Sequence, residues 1–337
     1  MSGLLREWHA SPWEPDPIVI ETSGSTGEPK RVLLSRSAMR SSADATHARL
    51  GGPGQWLLAL PPTYVAGAQV LFRSVLAGTE PVVLSDDLAS AVSSMTASRR
   101  YTALVPTQLR RMLASDQDTR ALRSFDAILL GGAAVDPPLR RAAASAGLSL
   151  VATYGMSETC GGCVYDGVAL DGVAVALAPD GRIRVTGPML FSGYDGRTDL
   201  TDEVMRNGWF QTSDLGRLDE DGRLKVLGRV DDVVISGGVN VPASVVAARL
   251  REHPWIAAAE VVGVFDAEWG QRVVAVVVSS TGAAPRDVPL TADLRNWVSQ
   301  VHPRSWAPRQ LIRLGEIPLL SNGKVDRVAL ERLAARA

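Results

Sequence analysis

Residues 101–130, YTALVPTQLRRMLASDQDTRALRSFDAILL, decide the fold. Two apolar runs, 101–105 and 127–130, read as buried strands. Between them a helical pattern covers 106–113. It opens on Pro106, which suits a first helical turn because the missing N–H would be unpaired there anyway. Strand, crossover helix and strand make a parallel pair. The alternation continues on both sides: 18–20, 56–60, 81–84 and 148–151 are further apolar runs, and 67–77 and 138–146 carry helical spacing. In such sheets, ligands sit outside the carboxyl ends of the strands.

After about residue 180 the pattern changes. Segments 182–185 and 224–227 alternate polar and apolar residues, each just after an Asp-Gly turn, Asp180-Gly181 and Asp221-Gly222. That is the signature of antiparallel sheet with one wet face. The last hundred residues read as a small α+β unit, with helices over 242–252, 291–301 and 326–337 and strands over 258–264 and 272–278. The polar turn Gly228-Arg229-Val230-Asp231-Asp232 marks the boundary. The expected fold is therefore α/β. A large N-terminal domain, 1–228, has mainly parallel sheets and helices plus a small antiparallel sheet. A small α+β C-terminal domain, 229–337, follows.

Composition narrows the function. Thirty-five Lys and Arg face 36 Asp and Glu, a net charge of −1, which argues against a general nucleic-acid binder. Two cysteines in 337 residues exclude a disulfide scaffold and fit a reducing compartment. Apolar stretches such as 273–278 fall far short of the ~20 residues that span a bilayer. The opening MSGLLREWHASPWEPDP lacks the pattern of a signal peptide. The expectation is a cytoplasmic protein without membrane insertion.

Four segments carry candidate chemistry. The first, Thr22-Ser23-Gly24-Ser25-Thr26-Gly27-Glu28-Pro29-Lys30, crowds four hydroxyls, two glycines and a lysine behind an apolar run. Glycines let backbone N–H groups approach an anion, hydroxyls donate to phosphate oxygens, and lysine supplies a point charge. It is not a Walker loop: Pro29 stands where the second glycine belongs, and Arg31 where Ser or Thr would meet magnesium. Because 31–35 reads as a strand, the loop joins two strands. An ordinary Gly/Ser turn is the alternative. The second is Thr153-Tyr154-Gly155-Met156-Ser157-Glu158-Thr159, directly after the 148–151 run. Glu158 could hold magnesium and Tyr154 could stack on a base; a helix-start cap is the alternative. The third pairs Asp214, able to accept both ribose hydroxyls, with Arg229; a surface salt bridge between them is the alternative. The fourth is Lys324, beside the Asn322-Gly323 turn, able to neutralise developing negative charge or simply an exposed turn lysine. Cys160 and Cys163 lack the second ligand pair of a zinc site, while redox chemistry stays open at that spacing. No histidine is assigned a catalytic role.

Taken in order, these segments resemble the adenylate-forming superfamily of acyl-CoA synthetases, luciferases and peptide-synthetase adenylation domains, over nearly the whole chain. The resemblance implies a two-step reaction. A carboxylate attacks the α-phosphate of ATP and releases pyrophosphate; then the small domain rotates as a lid and the thiol of coenzyme A displaces AMP. It implies that Ser25, Thr26, Gly27 and Lys30 hold the β- and γ-phosphates, Glu158 binds Mg2+, and Thr159 meets the α-phosphate. Gly131, Gly132 and Ala133, with Tyr154, would enclose adenine, and Asp214 and Arg229 would hold ribose. Lys324 would stabilise the first transition state, Asp231 would be the hinge, and Gly237 and Gly238 would face the pantetheine channel.

Two departures stand out. Members of the superfamily usually carry well over a hundred residues before the phosphate loop, against 21 here, so the first domain is expected to be shortened at its start. Many read Phe-His-x-x-Gly where this chain has Thr63-Tyr64-Val65-Ala66-Gly67. Both features, with the run from Tyr154 to Gly167 and the Leu170-Asp171-Gly172-Val173 that follows it, resemble the o-succinylbenzoate–CoA ligases of menaquinone biosynthesis. On this reading Tyr64 and Gly155 line the acid pocket. Arg73 is the candidate for the substrate's second carboxylate, with a surface arginine as the alternative. The implied partners are a small carboxylic acid, ATP and coenzyme A. Oligomeric state stays open, a homo-oligomer included. A ligase for another aryl or short acyl acid, or one loading a carrier protein, is the rival enzyme. A non-catalytic nucleotide-binding regulator is the rival of another class. A dinucleotide-dependent oxidoreductase fails for want of a Gly-x-Gly-x-x-Gly turn.

Overall fold

The computed structural model describes residues 2–22, 29–85, 87–280, 290–320 and 325–337. The chain divides into two compact units. One comprises Met1–Val135, Leu139–Thr212 and Leu218–Leu224; the other comprises Asp136–Pro138, Ser213–Arg217 and Lys225–Ala337.

The first unit is built on a seven-stranded sheet. Its order is Val82–Val83, Gln55–Leu58, Arg100–Leu104, Ala127–Leu130, Leu150–Met156, Gly161–Tyr165 and Val168–Ala169. The first five strands are parallel and the last two run antiparallel. Helices Val65–Leu76, Leu88–Ser93, Pro106–Leu113, Asp116–Leu122 and Pro137–Ser145 make the crossovers. Neighbouring residues of one strand serve different cores. Leu57, Leu104, Ile128 and Leu130 pack with Leu109 and Leu139 on one side. Trp56, Leu58, Tyr101, Ala103 and Leu129 pack with Val70 and Leu71 of helix Val65–Leu76 on the other. Burial on both faces explains why these strands read as unbroken apolar runs.

The loop-flanking strands Ile18–Thr22 and Lys30–Leu34 form an antiparallel pair, joined by Gly193–Tyr194 as a third strand. Ala174–Leu177 pairs antiparallel with Arg182–Thr186, as the alternating pattern requires. Helix Arg36–Arg49 has no counterpart in the sequence reading. Ser35 caps it, its hydroxyl accepting from the Ala38 N–H at 3.2 Å. Its buried face is Ala38, Met39, Ser42, Ala43, Thr46 and His47, too polar to show an apolar stripe.

In the second unit the order is Val239–Pro242, Val233–Ser236, Gly270–Ser279 and Ile256–Asp266, with Gln310–Arg313 parallel to Gly270–Ser279. The long hairpin Ile256–Asp266/Gly270–Ser279 is covered on both faces. Val273, Ala275 and Val277 pack with helices Ala243–Arg251 and Thr291–Ser299. Val274 and Val276 pack with Leu330 of helix Arg327–Arg336.

Candidate active site

Three residues meet at the edge of the loop-flanking hairpin. Thr22 and Lys30 face each other in register at the mouth of the 23–29 connection. Gly193–Tyr194 pairs with the second strand, Tyr194 opposite Val32, which brings the tyrosine ring to Lys30. The Lys30 ammonium lies 5.2 Å from the ring centroid, within cation–π range. At the other end of the same side chain, the hydroxyl donates to Glu158 Oε1 at 2.8 Å. The Phe191 N–H donates to the Glu158 carbonyl at 2.9 Å, so one short segment holds Glu158 by backbone and side chain. Tyr194 is 5% exposed. Burial first, and then the Glu158 charge, push its phenol above the ordinary range, so it remains a protonated donor.

Glu158 stands in a single turn, Ser157–Thr159, between strands Leu150–Met156 and Gly161–Tyr165. Among the described residues nothing bonds its second carboxylate oxygen, and no cluster of three or more histidine, cysteine or acidic groups is present. A lone carboxylate fits Mg2+, which is commonly bound by one or two carboxylates together with substrate phosphates and water.

Thr159 closes the same turn. It is fully buried, its hydroxyl accepting from the Met156 N–H at 2.9 Å and donating to the Gly161 carbonyl at 2.7 Å. Both bonds close the turn that carries Glu158, so the Thr159 hydroxyl shapes that turn. Ser157, partly exposed, opens the same turn. The cysteines that follow are buried and free. Burial pushes the Cys163 thiol up to about 12 and the Cys160 thiol in the same direction, which leaves neither as a reactive thiolate.

Tyr154 and Gly155 lie inside the strand, not after its end. The strand runs on to Met156 because residues 153–156 pair with Gly161–Tyr165, a long-range partner invisible in an apolar run. Gly155 permits that pairing: a Cβ there would run into the Gly161 carbonyl. Gly131, Gly132 and Ala133 leave the end of Ala127–Leu130, next to this strand. Gly131 is half-buried, the other two are exposed, and Gly132 has φ +80. A Cβ at Gly131 would collide with Thr153 Oγ1. Tyr64, half-buried, is the residue from which helix Val65–Leu76 starts.

Arg73 is not a surface arginine. It is 3% exposed and lies on the inner face of helix Val65–Leu76, its guanidinium 5.1 Å from the Trp56 ring centroid. Tyr165 is its hydrogen-bond partner. Its helix turns it inward onto the sheet, against Trp56.

In the second unit, Arg229 Nη1 lies 3.6 Å from Asp214 Oδ1, and Asp214 is the more buried partner. Asp231 belongs to the single turn Val230–Asp232. Gly237 and Gly238 make the turn between Val233–Ser236 and Val239–Pro242, at φ +58 and +76. Positive φ and a Cβ that would sit 2.7 Å from the Trp269 ring require glycine at 237. Ser25, Thr26, Gly27 and Lys324 lie outside the described residues. Tyr194 is the residue between Lys30 and Glu158 that sequence reasoning missed. Its only local signal is a Gly-Tyr pair, and its importance comes from pairing with a strand some 160 positions earlier.

Residues 9–190 match the family model of the AMP-binding enzymes, and residues 246–324 match that of the AMP-binding enzyme C-terminal domain. The chain belongs to the AMP-binding enzymes of the adenylate-forming superfamily. More particularly, it is 44% identical over 324 residues to a probable 2-succinylbenzoate–CoA ligase of Mycobacterium tuberculosis, covering 94% of this chain and 84% of that one. The o-succinylbenzoate CoA synthetase of Bacillus subtilis, solved with its acyl-adenylate intermediate, superposes with a TM-score of 0.78 at 28% identity, covering 93% of this chain and 68% of that one. The amide bond synthetase McbA of Marinactinospora thermotolerans superposes at 0.83 with 28% identity, covering 94% and 69%.

Proposed function

We propose that this chain is an ATP-dependent, AMP-forming acid–thiol ligase that converts o-succinylbenzoate to its coenzyme A thioester through an acyl-adenylate, a step of menaquinone biosynthesis. The observation that carries the reading is the convergence of Lys30 and Glu158 on Tyr194: a phosphate-neutralising cation and a hard oxygen ligand held a side chain apart. The substrate follows the 44% relative and the synthetase solved with o-succinylbenzoyl adenylate. The same synthetase has been solved with ATP and a magnesium ion.

In this reading Ser25, Thr26, Gly27 and Lys30 grip the β- and γ-phosphates. Gly131, Gly132, Ala133 and Tyr154 border the adenine. Asp214 and Arg229 hold the ribose. Glu158 would hold Mg2+, which, when bound, screens phosphate charge. Lys324 meets the charge that develops as the carboxylate attacks the α-phosphate, where a preorganised cation lowers the barrier most. Asp231 serves as the hinge between residues 1–228 and 229–337. Gly237 and Gly238 leave room for the pantetheine arm, and Tyr64 and Gly155 border the acid. ATP and coenzyme A are drawn from the cytoplasm, the proposed compartment.

A second reading, ligation of another aryl or short acyl acid, is favoured by the burial of Arg73, the group assigned to the second carboxylate. One experiment separates them. The protein is incubated with ATP, Mg2+, coenzyme A and a panel of carboxylic acids, and products are read by mass spectrometry. AMP and o-succinylbenzoyl-CoA are expected. Thioesters of benzoates or fatty acids without that of o-succinylbenzoate would replace the first reading by the second.

A further inference from the structure

Tyr194 is shared between the two charged residues of the site, Lys30 and Glu158. We infer that it is a positioning residue whose two ends do separate tasks: the hydroxyl orients the Glu158 carboxylate for the metal, and the ring seats the Lys30 ammonium for the nucleotide phosphates. This rests on the proposed nucleotide reading of the site. Three features support it. The hydroxyl donates to Oε1 at 2.8 Å, which leaves Oε2 as the free lone-pair face among the described residues. The ring is fixed from two sides, by pairing with Lys30–Leu34 and by an edge contact with Phe191 at 5.0 Å, so it cannot follow a wandering carboxylate. Finally, Phe191 holds the Glu158 backbone, so carboxylate and phenol are tied to one segment. A carboxylate that must meet a metal gains from a fixed outer partner; losing such a partner typically weakens metal binding about 10- to 100-fold. An ammonium resting on an aromatic face gains a smaller increment.

The two ends are separable by substitution. Tyr194→Phe removes the hydroxyl and keeps the ring; Tyr194→Leu removes both. ATP affinity is measured by calorimetry on the full chain, once with excess Mg2+ and once in EDTA, without acid or coenzyme A. The ratio of the two dissociation constants gives the magnesium-dependent gain. In Tyr194→Phe this gain should shrink about tenfold while the EDTA value stays unchanged. Tyr194→Leu should also raise the EDTA value about two- to fivefold. Glu158→Gln should lose the gain, and adding Tyr194→Phe to it should change nothing more, because the hydroxyl acts only through that carboxylate. Melting temperatures of wild type and Tyr194→Phe should agree within about 2 °C.

A full magnesium gain in Tyr194→Phe, or losses that simply add in the double variant, overturns the inference. Acid-dependent ATP–pyrophosphate exchange by the wild type reports separately on the proposed function. A protein that binds ATP with a Tyr194-dependent magnesium gain but exchanges with no acid refutes the ligase reading and leaves the inference standing; one that binds no ATP refutes both.

Discussion

The guanidinium of Arg73 lies over the indole of Trp56, 5.1 Å from its centroid, and no carboxylate pairs with it among the described residues. Its Nε has no hydrogen-bond partner there either. Desolvation by burial lowers its pKa, while the Tyr165 hydroxyl opposes that shift. A buried cation of this kind contributes shape more than net electrostatic stability. Arg73→Met, which keeps most of the volume, is expected to change unfolding free energy by less than about 1 kcal/mol and to leave KM for the acid unchanged. Arg73→Ala is expected to cost about 2–4 kcal/mol through the cavity it leaves. Chemical denaturation with steady-state kinetics checks both; a large rise in acid KM for Arg73→Met restores the carboxylate role.

His47, packed near Trp56 and Arg73, sets a pH dependence. Burial, then the Arg73 charge, lowers its pKa from 6.5 to about 4, against a weaker opposing pull from Asp44. The folded state therefore binds fewer protons than the unfolded chain between those values. Stability is full above pH 6.5 and falls as pH drops toward 4, by about 2 kcal/mol from this residue. Denaturation midpoints measured across that window should decline in the wild type and decline less in His47→Gln. Equal slopes remove His47 as the source.

Gly155→Ala tests the close pairing beneath Tyr154. Its Cβ meets backbone at Gly161, which cannot rotate away. A loss of about 3 kcal/mol is expected, with adenylate formation falling alongside. Gly78→Ala is the control for space alone, since nothing lies within 4 Å of its Cβ; its own cost comes from φ +65. Melting curves of the two variants give the comparison.

How much of this was legible in the sequence depends on who supplies the partner. Strand Ala127–Leu130 and the 273–278 run of strand Gly270–Ser279 announce themselves because both faces are buried and the residues are apolar without a break. Helix Pro106–Leu113 is marked by its own proline. Helix Arg36–Arg49 was not legible, because it buries alanine, serine, threonine and histidine instead of a leucine stripe. Glu158 was legible as a candidate ligand, whereas Tyr194 and the inward turn of Arg73 depend on contacts far along the chain. Thr159 shows a related limit: the bonds its hydroxyl makes within its own turn are not visible in the sequence.

Asp214→Asn tests the proposed ribose contact. Removing one charged acceptor of a substrate hydroxyl costs about 1.5–3 kcal/mol, so KM for ATP should rise about tenfold or more. KM for coenzyme A should not follow. Since Asp214 pairs with Arg229 at only 3.6 Å, folding stability should fall by less than about 1 kcal/mol. Unchanged ATP kinetics would reduce the pair to a salt bridge.

Lys324→Ala separates the two half-reactions. Adenylate formation should drop about 10²–10³-fold, while thioester formation from supplied acyl-adenylate is largely spared. Equal loss in both halves removes the transition-state role.

The most direct measurement is ATP–pyrophosphate exchange by the wild-type chain with one acid at a time and no coenzyme A. Exchange driven by o-succinylbenzoate well above benzoates, fatty acids and the no-acid blank is expected. Exchange that stays at the blank with o-succinylbenzoate while another acid drives it contradicts the substrate, and silence with every acid contradicts the enzyme.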